Sequence, residues 1–227
     1  MKFPVKTVIY QFNFNNITPY DKEKLKAGAH LKGFEHTDFF KKMALLRQQY
    51  MNRSVFVRVM EHYAGMLKNK RHGSCEERGY DALRWYTYTF GSKPFKNESE
   101  QAWLDFEASL EKVKTLSDKI NAKCLIVISP ILYDIDTQKI HPYYNFLNLD
   151  FSCATINPKE RLSAIAKRLN IDIIDPSTYL KDHFEQIVRE GNFEPFYLIA
   201  DDNHFTPVAA NYMAEYMLSY FVKNKLN

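Results

Sequence analysis

The feature that most constrains the fold of this 227-residue chain is an unbroken apolar run over residues 124–128, between Lys123 and Ser129-Pro130. A strand with one face in water alternates apolar and polar residues, whereas continuous hydrophobicity over a strand's length is typical of burial on both faces. Strands buried in this way belong to parallel sheets, because the crossover connections carry helices that cover both sides. The run therefore predicts a strand over Lys123–Ser129 inside a parallel sheet.

Strand and helix patterns alternate along the rest of the chain. Residues 5–14 are rich in β-branched and aromatic residues, and residues 171–174 form a shorter apolar run that ends at Asp175-Pro176. Amphipathic patterns predict helices over residues 98–121, 158–169 and 179–190, and a final helix that begins at Pro207 with Thr206 as its cap. This alternation predicts a three-layer α/β/α domain with a parallel sheet.

The first two predicted strands are separated by an unusually long connection. Residues 20–121 are mostly helical in pattern, with further helices expected over 38–50 and 55–67 and polar loops over 68–80 and 91–97. We therefore expect a single domain over residues 1–227 that carries residues 20–121 as a helical insertion.

Composition excludes several classes of protein. Lys and Arg number 31 and Asp and Glu number 27, a net charge of +4 that is too small over this length to indicate nucleic-acid binding. The chain has only seven glycines and contains neither GxGxxG nor GxxxxGK[ST], so no nucleotide cofactor is expected. No apolar run approaches the roughly 18 residues that span a bilayer, and no signal peptide is evident. The compartment stays open.

The cysteines indicate neither a disulfide framework nor a metal site. Three cysteines, Cys75, Cys124 and Cys153, are too few for a framework, so the fold is expected to be held by its core. His72 and Cys75 are both capable of binding a metal, but no second pair follows at zinc spacing. We therefore expect no metal.

A histidine loop near the C-terminus is the strongest candidate for chemistry. Asp201 and Asp202 precede His204, which lies two residues before the helix cap Thr206. A carboxylate a few residues before a histidine can accept from Nδ1–H, which leaves Nε2 as a general base. The same Asp-Asp-Asn cluster is also a common turn, and a lone histidine near a helix start is often structural. The loop alone is compatible with both interpretations.

Several segments in order resemble the SGNH (GDSL-type) hydrolases. DDNHFTP, followed by an aromatic amphipathic helix, is similar to the last block of that family, and Asn15-Asn16-Ile17 after TVIYQFNF is similar to its asparagine block. LIVISP resembles the central strand that follows, and RLSAIAKRLNIDIIDPSTYL resembles the helix and strand before the final loop. The resemblance covers most of the chain.

The resemblance implies a Ser-His-Asp mechanism of ester hydrolysis or acyl transfer through a covalent acyl-enzyme. His204 would be the base, Asp201 its orienting acid with Asp202 as the alternative, and Asn15 would donate its amide to the oxyanion. No metal or organic cofactor is implied. The substrates implied are small-molecule, glycan or lipid esters, and the sequence does not choose among them.

The family's Gly-Asp-Ser block, which supplies the nucleophile, is absent from this chain. Three explanations stay open: an N-terminal truncation, a degenerate member, or recruitment of another serine such as Ser129. Without the preceding strands, residues 5–14 would form an exposed sheet edge, which favours self-association into a homo-oligomer. The alternative to an enzyme is therefore an inactive binding or assembly module with the same fold.

Overall fold

The computed structural model describes residues 5–17, 75, 83, 86–139, 149–191, 195–198 and 203–224. The helices predicted over 38–50 and 55–67 lie outside these residues, as does nearly all of the loop predicted over 68–80. Among the described residues the strands are β1 (Thr7–Asn13), β2 (Lys123–Ser129) and β3 (Asp172–Ile174). The helices are α1 (Thr87–Phe90), α2 (Lys96–Lys119), α3 (Leu132–Ile135), α4 (Pro158–Leu169), α5 (Ser177–Arg189) and α6 (Pro207–Lys223), with 3-10 turns at Lys93–Phe95 and Phe151–Cys153.

The described strands form a parallel sheet in the order β1-β2-β3. β2 pairs with β1 from Thr7↔Lys123 to Asn13↔Ser129, and with β3 at three positions. All residues of β2 after Lys123 are buried. The prediction of a central parallel strand buried on both faces is therefore confirmed.

One face of the sheet is covered by α2 and α4. Phe12 of β1 stacks on Trp103 and meets Phe106 edge-on, with ring centroids 6.1 and 5.6 Å apart. Ile126 of β2 and Leu162 of α4 belong to the same buried cluster. Both amphipathic helices therefore pack their apolar sides against this face of the sheet.

The opposite face is covered by α6. Leu125, Val127 and Ile174 pack against an aromatic and methionine stripe of that helix: Met213, Tyr216, Met217, Tyr220 and Phe221. Ile9 pairs with Leu125 and lies on the same face, yet its side chain is 47% exposed, because α6 lies over β2 and β3. In the part of the chain that the structure describes, β1 is an edge strand with one partly open face.

Some predicted boundaries were wrong by a few residues. The loop predicted over 91–97 ends early, because Pro94 lies in a 3-10 turn that leads directly into α2 at Lys96. α5 begins at Ser177 rather than at residue 179, since Asp175 Oδ1 accepts from the Ser177 amide at 2.9 Å. The stretch over 131–157 lacks a helical pattern, yet its described parts, 131–139 and 149–157, contain the short α3 and a 3-10 turn.

A disulfide joins Cys75 to Cys153 across a sequence separation of 78 residues. The expectation that the core alone holds the fold was wrong at this point, because the pairing depends on long-range folding that spacing does not reveal. The bridge lies in a small cluster with Leu83, Phe90 and Phe151. Cys124 keeps a free thiol, buried in β2.

Candidate functional site

The carboxyl ends of the strands bring three polar segments to one edge of the sheet. β1, β2 and β3 are parallel and are followed by Asn15-Asn16, by Pro130 and by Asp175-Pro176. In open α/β sheets, ligands bind in the crevice beyond this edge. The carboxyl edge is therefore where a site is expected.

Asn15 lies in a tight turn directly after β1. The Asn16 amide donates to Asn13 O at 2.9 Å, which closes the turn. Phe14 and Ile17 on either side are buried, and the Thr89 hydroxyl donates to Phe14 O. Asn15 itself is half-buried. Its backbone is thus held by neighbours on both sides.

His204 lies in a loop that is closed by two backbone hydrogen bonds. The Leu198 amide donates to His204 O at 3.1 Å, and the Thr206 amide donates to Phe196 O at 2.9 Å. Thr206 also caps α6, as its position before Pro207 predicts. The His204 side chain is exposed rather than packed in the core.

A buried tyrosine ties this loop to the sheet. Tyr197 forms an isolated antiparallel bridge with Phe205, and its hydroxyl donates to Pro130 O at 2.7 Å. Pro130 directly follows β2, and Ser129 of β2 pairs with Asn13 of β1. The segment next to His204 is therefore anchored to the residue that follows β2, the strand that pairs with β1. Sequence reasoning missed Tyr197, because nothing in its own segment indicates the contact with Pro130.

Asp201 and Asp202 lie outside the described residues, so both assignments of the orienting acid stay predictions. Ser129, the serine considered as a recruited nucleophile, is 4% exposed at the end of β2. Ser92 is fully buried as well. It follows Gly91, which has a φ of 63° and lies so close to Thr155 that no side chain fits at this position. Neither hydroxyl is open to solvent as a nucleophile must be to meet its substrate.

A second polar cluster at this edge was not predicted. Lys159 Nζ donates to Ser177 Oγ at 2.8 Å and lies 3.3 Å from Asp175 Oδ2 and 3.4 Å from Asp134 Oδ1. The four side chains come from α3, the start of α4 and the junction of β3 with α5. Because Lys159 contacts both carboxylates and the hydroxyl, the cluster holds α3, α4 and the junction of β3 with α5 together at the sheet edge.

Burial raises the pKa of the Asp134 carboxyl above its ordinary value of 3.8, and the nearby Lys159 ammonium opposes that shift only in part. The folded protein therefore binds this proton more tightly than the unfolded chain does. The stabilisation that the shift provides is present below pH 3.8 and is lost as the pH rises through the raised pKa. We expect Asp134→Asn to flatten this part of the stability profile, whose slope for one proton is at most about 1.4 kcal/mol per pH unit.

Urea unfolding at a series of pH values measures this effect. Gln138→Ala, which changes an exposed residue without a titratable group just after α3, is the control and should keep the shape of the wild-type profile. A profile for Asp134→Asn that is parallel to the wild-type profile would contradict the prediction.

Comparisons with family models, with curated proteins and with solved structures found no match to this chain. Among the described helices, none combines the length and the hydrophobicity needed to cross a membrane. Any functional assignment therefore depends on the residues at the carboxyl edge.

Proposed function

We propose that this chain is an SGNH (GDSL-type) hydrolase-like domain that acts on ester bonds, with Asn15 and His204 as parts of its active site. One observation supports the proposal: the Tyr197 hydroxyl donates to Pro130 O and so holds the segment next to His204 at the end of β2, the strand that pairs with β1. An oxyanion donor and a general base have to meet at one rim to serve the same carbonyl group. The parallel order β1-β2-β3 supports this, because the ends of β1 and β2 lie at the same edge of the sheet.

The proposed reaction is an acyl transfer in two steps. His204 Nε2 takes the proton from an attacking hydroxyl as the C–O bond to the ester carbonyl forms, and it returns that proton to the leaving alcohol. Water then repeats the attack on the acyl-enzyme and releases the acid. The Asn15 amide donates to the oxyanion, and Asp201, or alternatively Asp202, orients the imidazole. The nucleophilic serine is not assigned within this chain.

A second candidate function is the inactive binding or assembly module. It is favoured by the open side of β1, an edge strand of the described sheet, where Ile9 is about half exposed, as is Val5 two residues before the strand. Exposed strand edges pair readily with other strands. A self-associating module would use this edge whether or not it retained an active site.

Ester turnover distinguishes the two candidates. If a serine of this chain serves as the nucleophile, we expect hydrolysis of p-nitrophenyl acetate and a loss of roughly 10²–10⁴-fold in His204→Ala, because the general base is removed. His183→Ala is the matched control, since this histidine lies on α5 with its Nδ1 bonded to Tyr179 O. It should leave turnover unchanged.

Two outcomes would decide against the hydrolase. Turnover that survives His204→Ala would remove this histidine from the reaction. A folded wild-type chain without any turnover would show that this chain does not hydrolyse esters on its own, and self-association through β1, read from the elution volume in size-exclusion chromatography, would then favour the binding module.

A further inference from the structure

Three potential metal ligands converge away from the proposed active-site residues. Cys75 and Cys153 each offer a sulfur and Asp150 offers a carboxylate oxygen, and all three ligand atoms lie within 4.8 Å of one another. The two sulfurs form the disulfide, and Asp150 Oδ2 lies 3.6 Å from Cys153 Sγ. Two sulfurs and one oxygen form a donor set that zinc accepts.

The spacing agrees with tetrahedral zinc. Zinc binds thiolate sulfur at about 2.3 Å and carboxylate oxygen at about 2.0–2.2 Å, so two such ligands at a tetrahedral angle are about 3.6 Å apart. The distance from Asp150 Oδ2 to Cys153 Sγ already has this value. The two sulfurs have to separate to about 3.8 Å, which requires that the bond between them be reduced.

Local structure orients these ligands before any metal binds. Asp150 precedes the 3-10 turn at Phe151–Cys153, and its Oδ1 accepts from both the Ser152 amide, at 3.1 Å, and the Ser152 hydroxyl. The Cys153 amide donates to Asp150 O at 3.2 Å. Hydrogen bonds of this kind hold a ligating carboxylate in place and strengthen metal binding.

The two cysteines of the cluster differ in their exposure to solvent. Cys153 is buried, whereas Cys75 and Asp150 are half-buried, so the cluster has an apolar inner side and an outer side that ions and reductants can reach.

We propose that reduction of the Cys75–Cys153 disulfide turns this cluster into a zinc site with Cys75, Cys153 and Asp150 as ligands and water in the fourth position. Two molecules of a thiol reductant supply two electrons and two protons, are oxidised to their own disulfide, and leave two cysteine thiols. Zinc then binds the thiolates and releases the two thiol protons to solvent.

The bridge and the zinc site exclude each other, because zinc binds the two sulfurs as thiolates, which form only when the S–S bond has been reduced. Each of them joins Cys75 to the turn at Phe151–Cys153. The chain would therefore keep this cross-link under oxidising and under reducing conditions, by different chemistry. This inference does not depend on ester hydrolysis.

Cobalt titration of the full chain tests the proposal. The protein is reduced, freed of reductant without oxygen, and titrated with Co²⁺, whose thiolate charge-transfer absorption reports sulfur ligands. We expect one equivalent to bind, zinc to displace it, and reoxidation to release one zinc per disulfide formed. The oxidised protein should give no such absorption.

Three variants test which residues bind the metal. Asp150→Asn keeps both cysteines and should weaken zinc binding by at least the roughly 10–100-fold that loss of an outer-shell partner costs. Cys153→Ser should abolish the charge-transfer band, whereas Cys124→Ser, which removes the remaining thiol, should retain it. An absent band in the reduced wild type, or equal affinity in Asp150→Asn, would overturn the proposal.

Discussion

Replacing both Cys75 and Cys153 with serine is expected to lower the free energy of unfolding by about 4.5 kcal/mol. The disulfide closes a loop across a separation of 78 residues, and the chain-entropy model gives a loss of this size for that length near 25 °C. The loss arises mainly in the unfolded chain, which gains freedom when the bridge is absent. Small domains have a total stability of about 5–15 kcal/mol, so the effect is large.

Urea unfolding in a buffer with a metal chelator measures this loss without a contribution from zinc. The wild-type protein in excess reductant should move to the stability of the double variant, and the double variant should not respond to reductant at all. A difference of less than about 1 kcal/mol between the oxidised wild type and the variant would contradict the prediction.

Trp103→Ala is expected to destabilise the chain by about 3–5 kcal/mol, the range for truncating a large buried aromatic residue. Trp103 is fully buried, stacks on Phe12 and contacts Phe106 edge-on with ring centroids 5.7 Å apart. Its Nε1 also donates to Thr89 O at 3.1 Å. The substitution therefore leaves a cavity between α2 and β1 and a buried carbonyl without its donor.

Trp103→Phe separates these two contributions. It keeps most of the apolar contact but leaves Thr89 O without a partner, which costs about 1–3 kcal/mol. Thermal or urea unfolding of both variants measures the difference. An Ala variant that is no less stable than the Phe variant would show that packing on Phe12 contributes little, contrary to the prediction.

The parts of the fold that could be predicted are those whose signals lie within one segment. Continuous hydrophobicity identified β2 with its observed bounds. The amphipathic pattern over 158–169 identified α4 with its observed bounds, and the Asn157 side chain caps this helix by accepting from the Lys159 and Glu160 amides. The parallel α/β class followed from the order of such segments.

The parts that could not be predicted depend on contacts between distant segments. The Cys75–Cys153 bridge, the Tyr197 hydroxyl on Pro130 and the position of Lys159 between two carboxylates each join residues far apart in the chain. For the candidate site, the sequence indicated Asn15, which follows β1, and His204, whose neighbouring segment is anchored to Pro130 at the end of β2. The serine considered as a recruited nucleophile, Ser129, is buried at the end of β2.

The two edge strands of the described sheet differ in length and in charge, so an additional strand is expected to pair at one edge rather than at the other. β3 contributes three residues and begins with Asp172, whereas β1 contributes seven residues without a charged side chain among them. An additional strand that pairs with β1 can form more than twice as many backbone contacts as one that pairs with β3. It also meets no carboxylate of β1. Any enlargement of this sheet, whether by further chain or by another molecule, is thus expected to proceed outward from β1.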